Sequence, residues 1–470
     1  MTERFEQLVA GASDVCGQQR VLRRLQRHLL ARLLCLGRHT ITGMLTASGQ
    51  LFRDWSADYR LYSADRVDTK PLFDVVRKGV EAFVPAAQPL VVAMDDSLLR
   101  KAGRKIPGAG WKRDPLGPPF QTNFVWGQRV LQLSAALPCG PQGAARMLPI
   151  DFRHAPTAKR PRKNDAAQKW SDYKQAQKEL NINAVAVERL KQLREDTARP
   201  IHLVVDGRFT NATVLKNTPA DMRLIGRIRA DAKLYAVCES KSPGAGRPRR
   251  YGAALPTPEE IRKDDSIPWS EVQAFAAGRM HTFRIKRVTA VKWRAAGVEQ
   301  RLQLIVVAPL GYRLNKNSKV FYRQPAYLIC TDPELSAEQL LQSFLWRWDI
   351  EVNFRDEKSL LGVDEAQVRN PNAVANVSAS TVAAYGLLLL AAAQVFGTGG
   401  IPDALPRPAW RRNEPPRAST PALINHLRFE LWGRALAANL CGFSTARIPH
   451  QKPEKSIPTH AAAVLYALRA

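Results

Sequence analysis

Cysteine is scarce and scattered in this chain, with six residues at positions 16, 35, 139, 238, 330 and 441 and no C-x2-C pair. That excludes a zinc ribbon and argues against a disulfide framework, so single thiols in a reducing cytoplasm are expected. Eight histidines, among them His39, His154, His202 and His281, form no HExxH or H-x3-H pair, which removes the common helical zinc sites. Long apolar runs are also missing. The strongest, Val382 to Phe396, has fifteen residues, short of the roughly 20 a membrane span needs, so it reads as a buried helix and no membrane partner is expected. The start, Met1-Thr-Glu-Arg-Phe-Glu, has no cationic segment followed by an apolar stretch, so a cytoplasmic location is expected. No repeat with a period of 20 to 50 residues is present, which excludes solenoids and propellers.

Acid is in short supply as well. Seventy Lys plus Arg stand against forty-two Asp plus Glu, for a net charge of +28 and a pI near 10.2. Such an excess points to a polyanion, and nucleic acid is the natural partner. With 45% apolar residues and ten tryptophans across 470 positions, the chain can build large cores in roughly two to four domains.

The few acids are placed tellingly. Pro89 to Asp96 and Pro200 to Asp206 are short, largely β-branched apolar runs that stop at aspartate, as buried strands do when they deliver a carboxylate to a sheet edge. A turn or helix-cap role is open to each aspartate, since Ser97 and Gly207 follow. A third acid lies in FLWRWDIEVNFRDEK, where Phe344, Arg347, Glu351 and Lys358 fall at offsets 0, 3, 7 and 14. At about 100° per residue they share a helical stripe roughly 60° wide. Asp349, Asp356 and Glu357 fall about 140°, 120° and 220° from Phe344, so Glu351 is the acid set between two cations. A mixed-charge stripe by itself would be a solvated face; joined to two strand-end acids it becomes a candidate metal and phosphate site. Carboxylates brought together repel, and hard oxygen donors suit Mg²⁺ or Mn²⁺.

These residues resemble the insertion-sequence DDE transposases, in the bacterial branch with a Y-x2-R-x3-E-x6-K signature. Phe344 stands where that branch has tyrosine, and Arg347, Glu351 and Lys358 match in type and spacing. The resemblance covers roughly residues 30 to 396 and implies an RNase H-like α/β core. Its first two acids map onto Asp96, within Met-Asp-Asp-Ser, and Asp206, within Val-Val-Asp-Gly-Arg. Asp95 is a rival to Asp96, because strand alternation sends neighbours to opposite faces and spacing does not choose between them. The resemblance implies two Mg²⁺ ions, replaceable by Mn²⁺, held by Asp96, Asp206 and Glu351. It implies phosphate contacts from Arg347 and Lys358 with Phe344 at the DNA end. It also implies double-stranded DNA as substrate, in the form of terminal inverted repeats and target, and a homodimer that pairs the ends. A silent DNA-binding derivative and a stand-alone RNase H-like nuclease are the alternatives.

For organisation, residues 1–85 read as a helical head, with helices over Arg20 to Leu36 and Lys70 to Phe83; Arg20, Arg23, Arg24, Arg27 and Arg32 could face DNA or solvent. The core's first part is set at 86–236, with strands over Phe124 to Leu137 and Met147 to Arg153 and one long helix over Asn164 to Leu193. A β-rich insertion is expected at 237–322, opening on a cationic loop whose Arg247 and Arg249 could enter a minor groove. The core's second part spans 323–396, with a strand over Pro325 to Thr331 and Ser336 capping the signature helix. A Pro/Arg-rich linker and helical tail fill 397–470.

Overall fold

The computed structural model describes residues 1–114, 117, 120–121, 123–140, 143–238, 250–297, 300–314, 317–400, 402, 417–439 and 458–465. Five helices come first: α1 (Thr2–Ala10), α2 (Gln19–Leu34), α3 (Ile41–Ala47), α4 (Ser56–Ser63) and α5 (Lys70–Phe83). In α5, Leu72, Phe73, Val76 and Val80 line one buried face, and Pro71 sits in the first turn, where a missing N–H costs no hydrogen bond. The arginines of α2 are less available than their spacing suggests. Arg32 is fully buried, and Arg24 and Arg27 pair with Asp58, which leaves Arg20 and Arg23 exposed.

The next stretch carries β1 (Leu90–Arg100), β2 (Gly110–Arg113), β3 (Phe124–Cys139), β4 (Ala144–His154), α6 (Ala167–Glu179), α7 (Ile182–Asp196), β5 (Ile201–Val205), α8 (Ala212–Asn217) and β6 (Met222–Arg227). The single helix expected over Asn164 to Leu193 is two helices, because the Asn181 side chain accepts from Asn183 N and starts a new one. Beyond β6 come β7 (Leu234–Ala236), α9 (Pro258–Lys263), β8 (Ser270–Ala276), β9 (Arg279–Trp293), β10 (Leu302–Val307), β11 (Gly311–Tyr312), β12 (Phe321–Tyr322) and β13 (Ala326–Cys330). The chain continues through α10 (Ala337–Trp346), α11 (Asp349–Ser359), α12 (Pro371–Phe396), α13 (Thr420–Asn439) and α14 (Thr459–Leu465).

Among the described residues one eleven-stranded sheet runs in the order β2-β3-β1-β5-β6-β13-β10-β9-β7, with β4 on β3 and β8 on β9. Its centre, β1-β5-β6, is parallel, and antiparallel strands extend both sides. This mixed α/β layering fits an RNase H-like fold. The 237–322 segment supplies β8 to β12, of which β8, β9 and β10 hydrogen-bond into the same sheet, with β7 just before it on β9; β11 and β12 form a separate pair.

Alternation along β1 divides the two cores. Leu90, Val92 and Met94 face a core shared with α5 and α12, while Val91 and Ala93 face one shared with Leu340, Ile350 and Phe354 of α10 and α11. Helix α12 is long and apolar enough to cross a membrane, yet 83% of its most apolar window is buried inside the protein, between α5 and β4 among other elements. Gly386 allows that approach, since a side chain there would meet Pro149 O at 3.0 Å.

Candidate active site

Three elements converge where β5 ends beside β1, which itself runs on past its two aspartates to Arg100. In the parallel pairing, Ala93 stands beside Val204 and Met94 beside Val205, so Asp95 is level with Asp206 at the carboxyl edge, a usual ligand edge of such sheets. Residues level on neighbouring strands share a face. Asp95 thus lies on the α10–α11 side with Val91 and Ala93, and α11 carries Glu351 above it.

Of the two neighbouring aspartates left open by the sequence, Asp95, the rival of Asp96, is the one on the α11 side. Arg347 Nη1 donates to Asp95 Oδ2 at 2.9 Å and lies 3.9 Å from Glu351 Oε1, linking the two acids. Asp96 points to the other face, where Arg129 Nε is 3.4 Å and Arg208 Nη1 3.2 Å from its carboxylate. The reason is strand pairing: which of two adjacent acids faces α11 depends on the register with β5.

Burial first, then the Asp206 and Glu351 charges, push the Asp95 carboxyl up to about 7 despite Arg347. Burial also raises Asp96, against the pull of Arg208 and Arg129 and with smaller pushes from the Asp206 and Glu351 charges. Asp206 has a dual role. Its Oδ1 accepts from Arg208 N at 2.9 Å and Phe209 N at 3.3 Å, shaping the turn after β5, while Oδ2 has no hydrogen bond among the described residues. Thr210 closes that turn by donating to Asp206 O, and Gly226 makes room, since a Cβ there would lie 2.2 Å from the Thr210 hydroxyl.

The signature segment is two helices rather than one. Arg347 and Trp348 keep helical dihedrals, but Arg347 N bonds to Phe344 O and Trp348 N to Leu345 O, a tightened 3₁₀ turn. Ser336 caps α10 by accepting from Gln339 N. The turn aims Arg347 at Asp95, with its guanidinium 5.8 Å from the Phe344 ring, and leaves Trp348 exposed. Phe344 is a half-buried platform beneath Arg347. On α11, Lys358 Nζ donates to Ser97 Oγ at 2.7 Å, one pleat along from Asp95, and burial lowers its pKa. Arg247 and Arg249 lie outside the described residues.

The donor chemistry suits a hard divalent ion: carboxylates alone, crowded enough to raise one pKa. Among the described residues, however, no three His, Cys, Asp or Glu side chains come together closely enough to hold one ion. Arg347 stands between Asp95 and Glu351 in that arrangement.

Two supports of α11 escaped the sequence reading. Arg417, from the segment after α12, reaches Asp349 with Nη2 to Oδ1 at 2.5 Å, and donates to Ala145 O at 2.8 Å. Thr420 Oγ1 donates to buried Asp356 at 2.7 Å. These bonds strap the helix from the side away from Glu351. Arg417→Ala should lower turnover about tenfold to a hundredfold through misplacement of Glu351, with DNA affinity kept and partial recovery in Arg417→Lys. Single-turnover cleavage beside a binding titration checks this, and a loss confined to affinity would contradict it.

Glu357, fully buried on α11, accepts from Gln132 Nε2 at 2.9 Å, and burial pushes its carboxyl up to about 8. Its retained proton is available to Gln132 Oε1, which otherwise lacks a partner. An acid whose folded pKa exceeds its unfolded value of 4.5 costs stability as pH rises from about 4.5 to 8. Glu357→Gln should therefore match the parent in thermal unfolding near the low end and exceed it by a few kcal/mol above the high end. A difference independent of pH would refute this.

A family model described as "DDE superfamily endonuclease" matches residues 16–301. The matched span contains β1, β5 and both strand-end acids, and stops before α10 and α11. No curated protein matches the chain.

Proposed function

This chain belongs to the DDE superfamily endonucleases, and from that premise we propose that it is a transposase that cuts and rejoins DNA at the ends of an insertion sequence. The family makes it a nuclease-type enzyme with DNA as substrate, and enzymes of this superfamily generally use divalent metal ions. The observation that carries the finer reading is that Asp95 is level with Asp206 and is linked through Arg347 to Glu351 on α11, with Lys358 close by on the same helix.

In this reading Asp95, Asp206 and Glu351 would hold Mg²⁺ or Mn²⁺. The ion would supply Lewis-acid stabilisation of the charge that develops on phosphodiester oxygens. Three acids reach one ion only if the Arg347 bridge loosens, and an incoming phosphate is a competing acceptor for that guanidinium. Lys358, anchored by Ser97, keeps donors for a second phosphate oxygen. Phe344 fixes the plane of Arg347, and exposed Trp348 offers a stacking face to an unpaired base at the DNA end. Pairing of two ends by a homodimer completes the proposal, supported by the resemblance to transposases.

The test is incubation of the full chain with Mg²⁺ and duplexes carrying the sequences that flank its reading frame. Cleavage followed by joining to a second duplex is the expected result. Hydrolysis without joining would make the chain a nuclease alone, and binding without cutting would make it a silent binder.

A further inference from the structure

Helix α6 touches α7 but has no buried residue, which is unusual for a helix of thirteen residues. It is held instead by pairs four residues apart: Lys169 with Asp165, Gln168 with Asp172, Gln175 with Glu179 and Gln177 with Tyr173. Lacking an apolar stripe, it is not suited to an apolar protein groove. Its charge is one-sided, since Lys159 to Lys178 holds seven Lys or Arg and two Asp. All seven cations are exposed. Lys169 pairs with Asp165, whereas the side chains of Lys159, Arg160, Arg162, Lys163, Lys174 and Lys178 form no ion pair among the described residues, although the Arg162 backbone N–H donates to Asp165. Arg160 stacks 5.8 Å from the Trp170 ring, which folds the loop back over α6 around a cleft of about 580 Å³.

The arm starts beside the acids. Along β3, Gln132 is level with Asp95, Leu131 with Asp96 and Val130 with Ser97, and Val130 is also level with His154, the last residue of β4. Chain leaving β4 therefore departs at the acid-bearing edge, where Lys112 of β2 holds Thr157, and reaches Lys159 two residues later. A second copy of this chain, itself carrying +28, is a poor occupant for such a surface. A polyanion laid across the acids fits it.

We propose that Lys159–Lys178 is a cationic arm that grips the phosphodiester backbone of the same duplex that the acids engage, on the stretch flanking the cut. Lys159, Arg160, Arg162 and Lys163 supply the loop contacts, and Lys174 and Lys178 the helical ones. The assignment rests on the DNA-cutting reading above and adds the surface that holds the flank.

The experiment compares the full chain with a Lys159→Gln, Arg162→Gln, Lys163→Gln variant, binding a fluorescent duplex of about 40 base pairs across a salt series without divalent metal. A second variant removes the same charge elsewhere, at Lys263, Arg279 and Arg284. Each neutralised phosphate contributes about −0.9 to the log–log salt slope, so the arm variant should flatten it by about 2 to 3, with at least a tenfold loss of affinity at low salt. Thermal unfolding should stay unchanged, because all three side chains are exposed. An arm variant with the parental slope, or a control variant that loses as much, overturns the arm while leaving DNA cutting intact. Absence of salt-dependent binding in the parent chain overturns the DNA reading itself.

Discussion

Glu351→Gln should abolish strand cleavage, with the rate falling about a thousandfold or more, equivalent to about 4 kcal/mol of transition-state stabilisation. The substitution keeps the shape of the side chain and its place on α11, so the fold and the Arg347–Asp95 bond survive. DNA affinity should hold or rise slightly, since a half-exposed negative charge leaves a surface that receives phosphates. Cleavage measured beside binding separates the two effects. Undiminished cutting would remove Glu351 from the chemistry and, with it, the proposed site.

A second large effect distinguishes two adjacent residues. Asp95→Asn should be as damaging as the Glu351 change, because it removes the acid level with Asp206 and weakens the grip on Arg347. Asp96→Asn should retain much of the activity, losing the ion pairs with Arg129 and Arg208 on the opposite face. Cleavage rates of both variants, with thermal unfolding to confirm that each is folded, decide the matter. The opposite ranking would show that Asp96 is the working acid and that the register on β5 misleads.

Much of the architecture was legible because it is written in local patterns. The run read as stopping at Asp96 is the first part of β1, which continues to Arg100, the run before Asp206 is β5, Lys70–Phe83 is α5, and the apolar run near the end of α12 is largely buried. Periodicity placed Phe344, Arg347, Glu351 and Lys358 together, although the tightened turn at Arg347 means that they lie on two helices. Hydrophobic repeats do not register such a turn, because its dihedrals stay helical while only the hydrogen-bond partner shifts. In the 237–322 segment a β-rich character was readable in the runs His281–Trp293 and Arg301–Val307; the hydrogen bonds into the main sheet were not, since strand pairing joins residues far apart in sequence. The same holds for the α11 strap, where Arg417 lies 68 residues from Asp349.

By itself the amino-acid order determined that this is a basic α/β protein whose candidate acids lie on or just after apolar strands and on one helical stripe, because charge balance, strand pattern and helical phase are properties of neighbouring residues. Only the tertiary structure decided that Asp95 rather than Asp96 faces α11, that Arg347 lies between Asp95 and Glu351, and that Arg417 bonds to Asp349 of α11. Each of those depends on which face or strand meets another across 68 to 252 residues of sequence, and alternation along a single strand carries no information about what lies on either side.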